Sequence, residues 1–399
     1  MKILMLGWEY PPNITGGLAT ACHGLVEGLR KAGHDITFVI PKAEEDIQTM
    51  GFQLRSASKV ALPNTPHKAT MNLLNGYLPK VGLRDFQKGN TYQFSGAYGP
   101  NLLEDVYWLA VAAAEIASKS DFDIIHAHGW LTYLAGIAAK EVSGKPLVVH
   151  MHATEFDRSA SINPLVYEIE RQGMLAANKV MAISNRTRNI VINRYNIQPK
   201  KVVTTYNGVI PKNVQAVQYP KNITDKIVTF LGRITYQKGP EYFVEAAEKV
   251  LKKNKNVRFV MAGSGDMMAL MIQKVASKRM SHRFHFTGYL KGAEVDGMLS
   301  ISDVFVMPSV SEPFGIAPLE AIRSNVLVIV SRQSGVAEVL PNALIVDYWD
   351  TDQLAEAING LLNYGSLSRT VRDFGNKTLK NLTWDHTAAK VADTYASVA

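Results

Sequence analysis

Residues 303–325 read Asp-Val-Phe-Val-Met-Pro-Ser-Val-Ser-Glu-Pro-Phe-Gly-Ile-Ala-Pro-Leu-Glu-Ala-Ile-Arg-Ser-Asn. The apolar run Val304–Met307 suits a strand covered on both faces, and Pro318 is tolerated in the first turn of a following helix, where its missing N–H is not needed. Gly315 permits close approach of the backbone. A phosphate can therefore sit on the amides of Phe314, Gly315 and Ile316. Carboxylates repel a phosphate placed directly on them, so Glu312 in the loop and Glu320 in the helix suit hydroxyls on either side of it. A sugar on one side and a ribose on the other supply such hydroxyls. Taken singly, Glu320 reads equally as a carboxylate at the positive end of its helix and Glu312 as a solvated loop residue. The assembly as a whole reads as a sugar-nucleotide site.

Outward from this stretch, short apolar strands alternate with amphipathic helices twice over, which predicts two α/β domains with parallel sheets. The first half offers strands at Ile3–Leu6, Ile36–Val39, Ile124–Ala127, Leu147–His150 and Lys179–Ile183. The second offers Ile227–Leu231, Arg258–Ala262, Arg283–Thr287, Val304–Met307, Val326–Val330 and Ala343–Val346. Between them, Val202-Val-Thr-Thr-Tyr-Asn-Gly-Val-Ile-Pro carries an Asn207-Gly208 turn signal followed by Pro211, and the hinge is placed there. The expected domains are 1–206 and 207–383. Residues 42–100, poor in periodicity, read as a long excursion from the first domain of the kind that often carries acceptor specificity.

Composition narrows the class. The 399 residues are 47% hydrophobic, ample for two cores. Apolar stretches near ten residues, such as Trp130–Ala139, fall far short of the roughly 20 that span a bilayer. The start, Lys2-Ile-Leu-Met-Leu-Gly-Trp-Glu, reads as a buried strand rather than a secretory signal. A single cysteine, Cys22, fits a reducing compartment and a cytoplasmic location. The net charge of +8 is spread evenly between the halves, which argues against a nucleic-acid face and suits phosphorylated substrates. The densest basic segment, Arg186, Arg188, Arg194, Lys200 and Lys201, reads as a solvated helix face in preference to a membrane contact.

Gly232-Arg233-Ile-Thr-Tyr-Gln-Lys238-Gly239 follows a predicted strand, placing two cations at its carboxyl end, where ligands bind open α/β sheets. At the amino terminus, Gly16-Gly17 links the first strand to a helix over Ala19–Ala32, a packing turn or a loop that approaches phosphate. His126-Ala-His128-Gly-Trp130 and His150-Met-His152-Ala-Thr-Glu155-Phe-Asp157 end two further strands. Alternation puts His126 with His128 on one strand face and His150 with His152 on another, but no spacing fixes a tetrahedral set, so no metal is expected. Phe286-Thr-Gly288-Tyr289-Leu290 ends another strand and by itself reads only as a turn.

Taken together, these motifs resemble the retaining glycosyltransferases of family 4. Two glutamates separated by seven residues, with Pro-Phe-Gly after the first, look like that family's signature, and the likeness extends over essentially the whole chain. The resemblance implies the GT-B fold, two Rossmann-like parallel-sheet domains facing across a cleft, with the last helix, within 384–399, crossing back to the N-terminal domain. It implies that Arg233 and Lys238 grip the diphosphate of a sugar nucleotide, that Gly16 and Gly17 close over its phosphates, and that the backbone at Tyr289 and Leu290 holds the base. It implies that Glu312 binds the sugar's 3- and 4-hydroxyls, that Glu320 binds the ribose, and that His152 lies near the 6-hydroxyl and the anomeric carbon.

Trp8-Glu9-Tyr-Pro-Pro, Gly-Gly-Leu, His-Ala-His-Gly-Trp and His-Ala-Thr-Glu-Phe-Asp are most similar to the glycogen-synthase-like branch. Two departures stand out. Ile14-Thr15 replaces the Lys that often precedes the paired glycines, and Gly129 replaces an Asp. The expected activity is transfer of a hexosyl unit, glucosyl by preference, from a UDP- or ADP-sugar to an α-glucan, with no cofactor and no metal. Alternatives are a lipid-linked or small acceptor, a nucleotide-sugar epimerase, or a non-catalytic nucleotide-sugar binding protein.

Overall fold

The structure, a computed structural model, describes residues 1–12, 16–63, 65–77, 91–158, 161–210 and 219–399. Ile14 and Thr15, before the paired glycines, and Pro211 of the expected hinge lie outside the described residues. The chain divides into two compact units: Met1–Gly208 with Trp384–Ala399, and Val209–Thr383.

The first unit is built on strands β1 (Lys2–Leu6), β2 (Asp35–Ile40), β3 (Ile47–Thr49), β4 (Phe52–Ser56), β5 (Ile124–His128), β6 (Leu147–Met151), β7 (Lys179–Ala182) and β8 (Val202–Thr204). They lie in the order β3-β4-β2-β1-β5-β6-β7-β8, parallel except where β3 meets β4. Alternation sorts the side chains. Leu4, Leu6, Ile125, Ala127, Leu147, Val149 and Met151 join the core built with the helices Leu102–Lys119 and Tyr133–Ser143. Ile3, Met5, His126, His128, Val148 and His150 alternate with them, and so take the opposite sheet face. There the helix Gly17–Lys31 packs along the final helix, Trp384–Ala396, with the Trp384 indole over Gly24. The last helix thus returns to the first unit.

The stretch 42–100 departs from its reading as an excursion. It supplies β3, β4 and the helix Lys68–Tyr77, and β4 lies in the sheet proper, with Phe52 opposite Ile36 and Leu54 opposite Phe38. Phe52, Leu54 and Ser56 are buried while Gln53 and Arg55 are half-buried, an alternation of only five residues that its polar surroundings hide.

The second unit carries β9 (Lys226–Leu231), β10 (Val257–Ala262), β11 (Phe284–Gly288), β12 (Val304–Met307), β13 (Leu327–Ser331) and β14 (Leu344–Val346), all parallel, in the order β11-β10-β9-β12-β13-β14. Its strands read as near-continuous apolar runs because both faces are covered. Val228, Phe230, Phe259 and Met261 feed one core cluster, and Ile227, Val260 and Ala262 feed another. The chain runs outward in one direction from β9 and then restarts beside it with β12. That reversal of strand order leaves a crevice at the carboxyl ends of β9 and β12, the place where ligands bind such sheets.

Candidate active site

The loops at that crevice hold most of the residues singled out in the second unit. Directly after β9 come Gly232 and Arg233, then a short turn at Tyr236–Lys238. Gly239 ends the turn with φ 67°, and a Cβ there would fall 2.0 Å from the carbonyl oxygen of Pro308, so only glycine lets the β9 loop lie against the loop after β12. Gln237 ties the two loops together: its carbonyl accepts from Val310 N at 2.9 Å, and its side-chain oxygen accepts from Arg233 Nη2 at 3.2 Å. Lys238 Nζ donates to Glu312 Oε2 in an ion pair that is mostly buried. Arg233 is exposed and forms no ion pair among the described residues.

The loop carrying Glu312 is stitched on its other side to residues 333–336. Glu312 N donates to Gln333 O at 3.1 Å, Gly335 N to Glu312 O at 2.9 Å and Val336 N to Phe314 O at 2.8 Å. Phe314 is fully buried, anchoring the turn by its ring. Gly315 has φ 97° and sits against Met307 and Glu312. The N–H groups of Gly315 and Ile316 meet no acceptor among the described residues. The helix Ala317–Arg323 follows, with Glu320 in its first turn. Burial raises the Glu320 pKa, Arg323 opposes the shift and Asp296 adds to it. Its carboxylate, partly open, finds no hydrogen-bond donor among the described residues. Arg233, Lys238, Glu312, Gly315 and Ile316 thus belong to loops that start from two adjacent strands, with Glu320 in the helix that follows the second loop. Tyr289, exposed, and Leu290, half-buried against Ile227 and Val260, follow β11 at the sheet's edge.

In the first unit, Gly16 is in extended backbone and Gly17 opens the helix Gly17–Lys31; both are exposed. His152 follows β6. His128 Nδ1 lies 3.1 Å from His152 Nε2, His126 Nδ1 lies 2.6 Å from Tyr395 Oη, and His150 Nε2 lies 3.3 Å from Thr205 Oγ1. Burial holds all four imidazoles below their ordinary pKa, His152 at about 4, and for His126, His128 and His150 the neighbouring imidazoles add to the effect. Nitrogens of His126, His128 and His150 come within 4.8 Å of one another, as do ligand atoms of Cys22, His128 and His152. The rings are stacked, His126 on His150 with planes 8° apart and His128 on His150 with planes 27° apart. Stacked rings send their in-plane lone pairs alongside one another, a poor arrangement for zinc bonds of roughly 2 Å that must converge.

The turn after His152 is pinned by a buried charge network that the sequence reading missed. Thr154 N and Oγ1 donate to Asp157 Oδ2 at 2.9 and 2.8 Å, and Arg186 Nη1 donates to Asp157 Oδ1 at 2.8 Å. Arg158 Nη1 bridges Glu155 and Glu170 at 3.1 and 2.9 Å. The basic segment is only in part the solvated face expected: Arg194 and Lys200 are exposed, whereas Arg186, Arg188 and Lys201 are half-buried. Besides Arg186, Arg188 Nε donates to Val202 O at 3.4 Å, Lys201 Nζ donates to Leu175 O at 2.6 Å, and Arg194 lies over the Phe156 ring. Two signals were available: Asp157 stands 29 residues before Arg186, and buried acids call for such partners. Among the described residues no helix is long and apolar enough to cross a membrane.

Two family models match the chain: Glycosyltransferase Family 4 over residues 15–213 and Glycosyl transferases group 1 over residues 211–378. The protein belongs to glycosyltransferase family 4. Its fold class is GT-B, built from two parallel-sheet α/β domains. An uncharacterised glycosyltransferase of Methanocaldococcus jannaschii is 28% identical over 99% of this chain and 98% of its own length. The alpha-maltose-1-phosphate synthase of Mycolicibacterium smegmatis is 28% identical over 100% of both, and the glycogen synthase of Mycobacterium tuberculosis is 24% identical over 99% of this chain and 94% of its own. Among solved structures, sucrose-phosphate synthase from Thermosynechococcus elongatus superposes with a TM-score of 0.76 at 18% identity, covering 99% of this chain and 98% of its own. Anabaena HepE in complex with UDP-glucose superposes with a TM-score of 0.70 at 16% identity, covering 100% of each chain.

Proposed function

We propose that this family 4 glycosyltransferase moves a glucosyl unit from UDP- or ADP-glucose to an α-glucan hydroxyl with retention of anomeric configuration. One observation carries the reading. Among the described residues, a guanidinium with no ion pair (Arg233), a lysine–glutamate pair (Lys238 and Glu312), two N–H groups without acceptors and a partly open carboxylate in the helix that follows (Glu320) all come after the two strands where the sheet order reverses. A diphosphate needs the cations and amides, and its flanking sugar and ribose need the acids. The UDP-glucose held by a structural neighbour, and the glycogen synthase and alpha-maltose-1-phosphate synthase among the relatives, support this choice of donor and acceptor.

As the bond from C1 to the β-phosphate oxygen breaks, Arg233, Lys238 and the amides of Gly315 and Ile316 stabilise the growing negative charge, the electrostatic contribution that usually dominates such catalysis. These cations take the part a metal plays elsewhere. Glu312 accepts hydrogen bonds from the sugar's 3- and 4-hydroxyls, Glu320 from the ribose, and Tyr289 with Leu290 borders the base. Gly16 and Gly17 approach the phosphates, and His152 orients the sugar. The acceptor hydroxyl attacks from the side of the departing phosphate, whose oxygen takes its proton, so no carboxylate nucleophile is required. A lipid-linked acceptor is the second reading, less favoured because Arg186, Arg188 and Lys201 of the basic segment already bond the protein's own carboxylate and carbonyls.

The test is a panel of UDP-, ADP- and GDP-sugars incubated with and without maltooligosaccharides, followed by mass spectrometry of nucleotide and glycan. Free nucleotide that accumulates only with acceptor, matched by a lengthened glucan, is the expected result. An isomerised donor with no nucleotide released identifies an epimerase. Donor binding without either product identifies a binding protein.

A further inference from the structure

The four histidines fill a buried face of the first unit in a manner that plain packing does not require. Every ring lies within 5.5 Å of two or more of the others, centroid to centroid, with planes 8° to 30° apart. Each of the three innermost rings has one partnered nitrogen and one that is sealed from solvent without a partner: His126 Nε2, His128 Nε2 and His150 Nδ1. A stack of aliphatic side chains would fill the same space without these unsatisfied atoms. Of the three, only His128 spends its partnered nitrogen on another histidine, and that one, His152, is partly exposed. His152 Nδ1 makes no hydrogen bond among the described residues and, unlike the three orphaned nitrogens, is not sealed away.

The proton between His128 and His152 has one favourable place. Both rings are neutral, so one nitrogen of the pair donates and the other accepts. If His152 Nε2 were the donor, the proton of His128 would have to sit on Nε2, a buried N–H with no acceptor, which is the rarer and costlier of the two kinds of orphan. With the proton on His128 Nδ1, only a bare ring nitrogen is left unpaired. His128 then donates to His152 Nε2, and His152 carries its own proton on Nδ1. We propose that His128 is a positioning residue that fixes the ring and the tautomer of His152, so that His152 offers an N–H donor to an oxygen of the bound sugar. This inference rests on the glycosyltransferase reading only for what His152 meets; the tautomer itself is a property of the unliganded protein.

The experiment has two arms. In the first, long-range 15N NMR of histidine-labelled protein at neutral pH is assigned by comparison with His152→Asn. An Nδ1–H pattern for His152 is expected, and an Nε2–H pattern overturns the inference whether or not the protein transfers sugar. In the second, His128→Leu, His128→Asn and His128→Gln are compared in the transfer assay. The Asn amide reaches the place of Nδ1, while the Gln amide reaches that of Nε2. His128→Leu and His128→Gln should lower kcat by about 10- to 100-fold, the loss typical of removing a group that orients a functional histidine, with KM for donor changed less than about 2-fold. His128→Asn should recover most of it. Equal rates in Leu and Asn variants that remain folded overturn the assignment, since packing alone would then account for His128. A silent His128→Leu beside an inactive His152→Ala leaves the role of His152 standing and removes that of His128. A wild-type protein inactive on every donor removes the glycosyltransferase reading, and the NMR arm still decides the tautomer.

Discussion

The two units solve the problem of holding polar side chains in place by opposite means. In the first, His126, His128, His150 and His152 are neutral rings packed against each other beneath two helices. In the second, Lys238 and Glu312 are opposite charges paired across loops from adjacent strands, while among the described residues Arg233 and Glu320 form no ion pair. The rings are set by packing and by a few directional bonds, and they lose their arrangement if they become charged. The charges are set by each other, and they lose theirs if one partner goes. A nucleotide diphosphate asks for charge, and a sugar hydroxyl asks for direction.

The comparison breaks most readily at the ion pair. Lys238→Ala leaves a mostly buried carboxylate alone and, on the proposed mechanism, removes a cation from the departing phosphate, so kcat/KM should fall by roughly 10²- to 10³-fold. Steady-state kinetics of Lys238→Ala, Glu312→Ala and the double variant would check it. Glu312→Ala should depress kcat while calorimetry shows free UDP or ADP bound nearly as before, and an equal loss of nucleotide affinity would refute its place on the sugar side. The double variant should be less impaired than the product of the two single losses, and strict additivity would show that the pair does not act as one.

The histidine stack should reveal itself through pH. Its folded pKa values lie below the ordinary 6.5, with His152 at about 4. Between those limits the unfolded chain binds more protons than the folded one, so stability is intact above pH 6.5 and falls as pH drops toward 4. The slope is about 1.4 kcal/mol per pH unit for each histidine that stays neutral. Urea titrations at stepped pH, followed by tryptophan fluorescence, would show a midpoint falling in that window. Four of the five tryptophans lie in the first unit, so the signal reads that unit. A flat profile would mean that the rings take up protons without opening the fold.

Smaller effects sharpen the contrast. Glu320→Gln keeps the shape but would weaken the charge-assisted bond to the ribose proposed above, so donor KM should rise about 10-fold at near-constant kcat. On the proposal that Arg233 and Lys238 neutralise the diphosphate, excess chelator should leave the rate within about 2-fold of its starting value. A rate abolished by EDTA and restored by magnesium would show that the chain's cations are insufficient.

The strands of the second unit were legible because Val304-Phe-Val-Met and its neighbours are apolar on both faces, and the loop residues Arg233, Lys238, Glu312 and Glu320 were legible because their motifs follow strand ends. The Lys238–Glu312 pair itself was not, because its partners stand 74 residues apart and meet only through strand order. The same distance problem hid the bond of His126 to Tyr395, 269 residues away. Strand β8, Val202-Val-Thr, falls within the stretch that reads as a hinge, because three residues beside an Asn-Gly turn carry little pattern. Strand β4 was missed because its five-residue alternation is no longer than chance allows.

The return of Trp384–Ala396 to the first unit reaches beyond packing. During synthesis on a ribosome the chain from Met1 to Gly208 emerges before Val209–Thr383, yet the helix that lays Tyr395 on His126 and Trp384 on Gly24 emerges after it. The intervening segment, Val209–Thr383, is complete in itself and free to fold while the earlier-made part still lacks its closing piece. The half made earlier is therefore the half completed later, and a nascent chain stalled short of Trp384 would lack the Tyr395 hydroxyl and ring that cover His126.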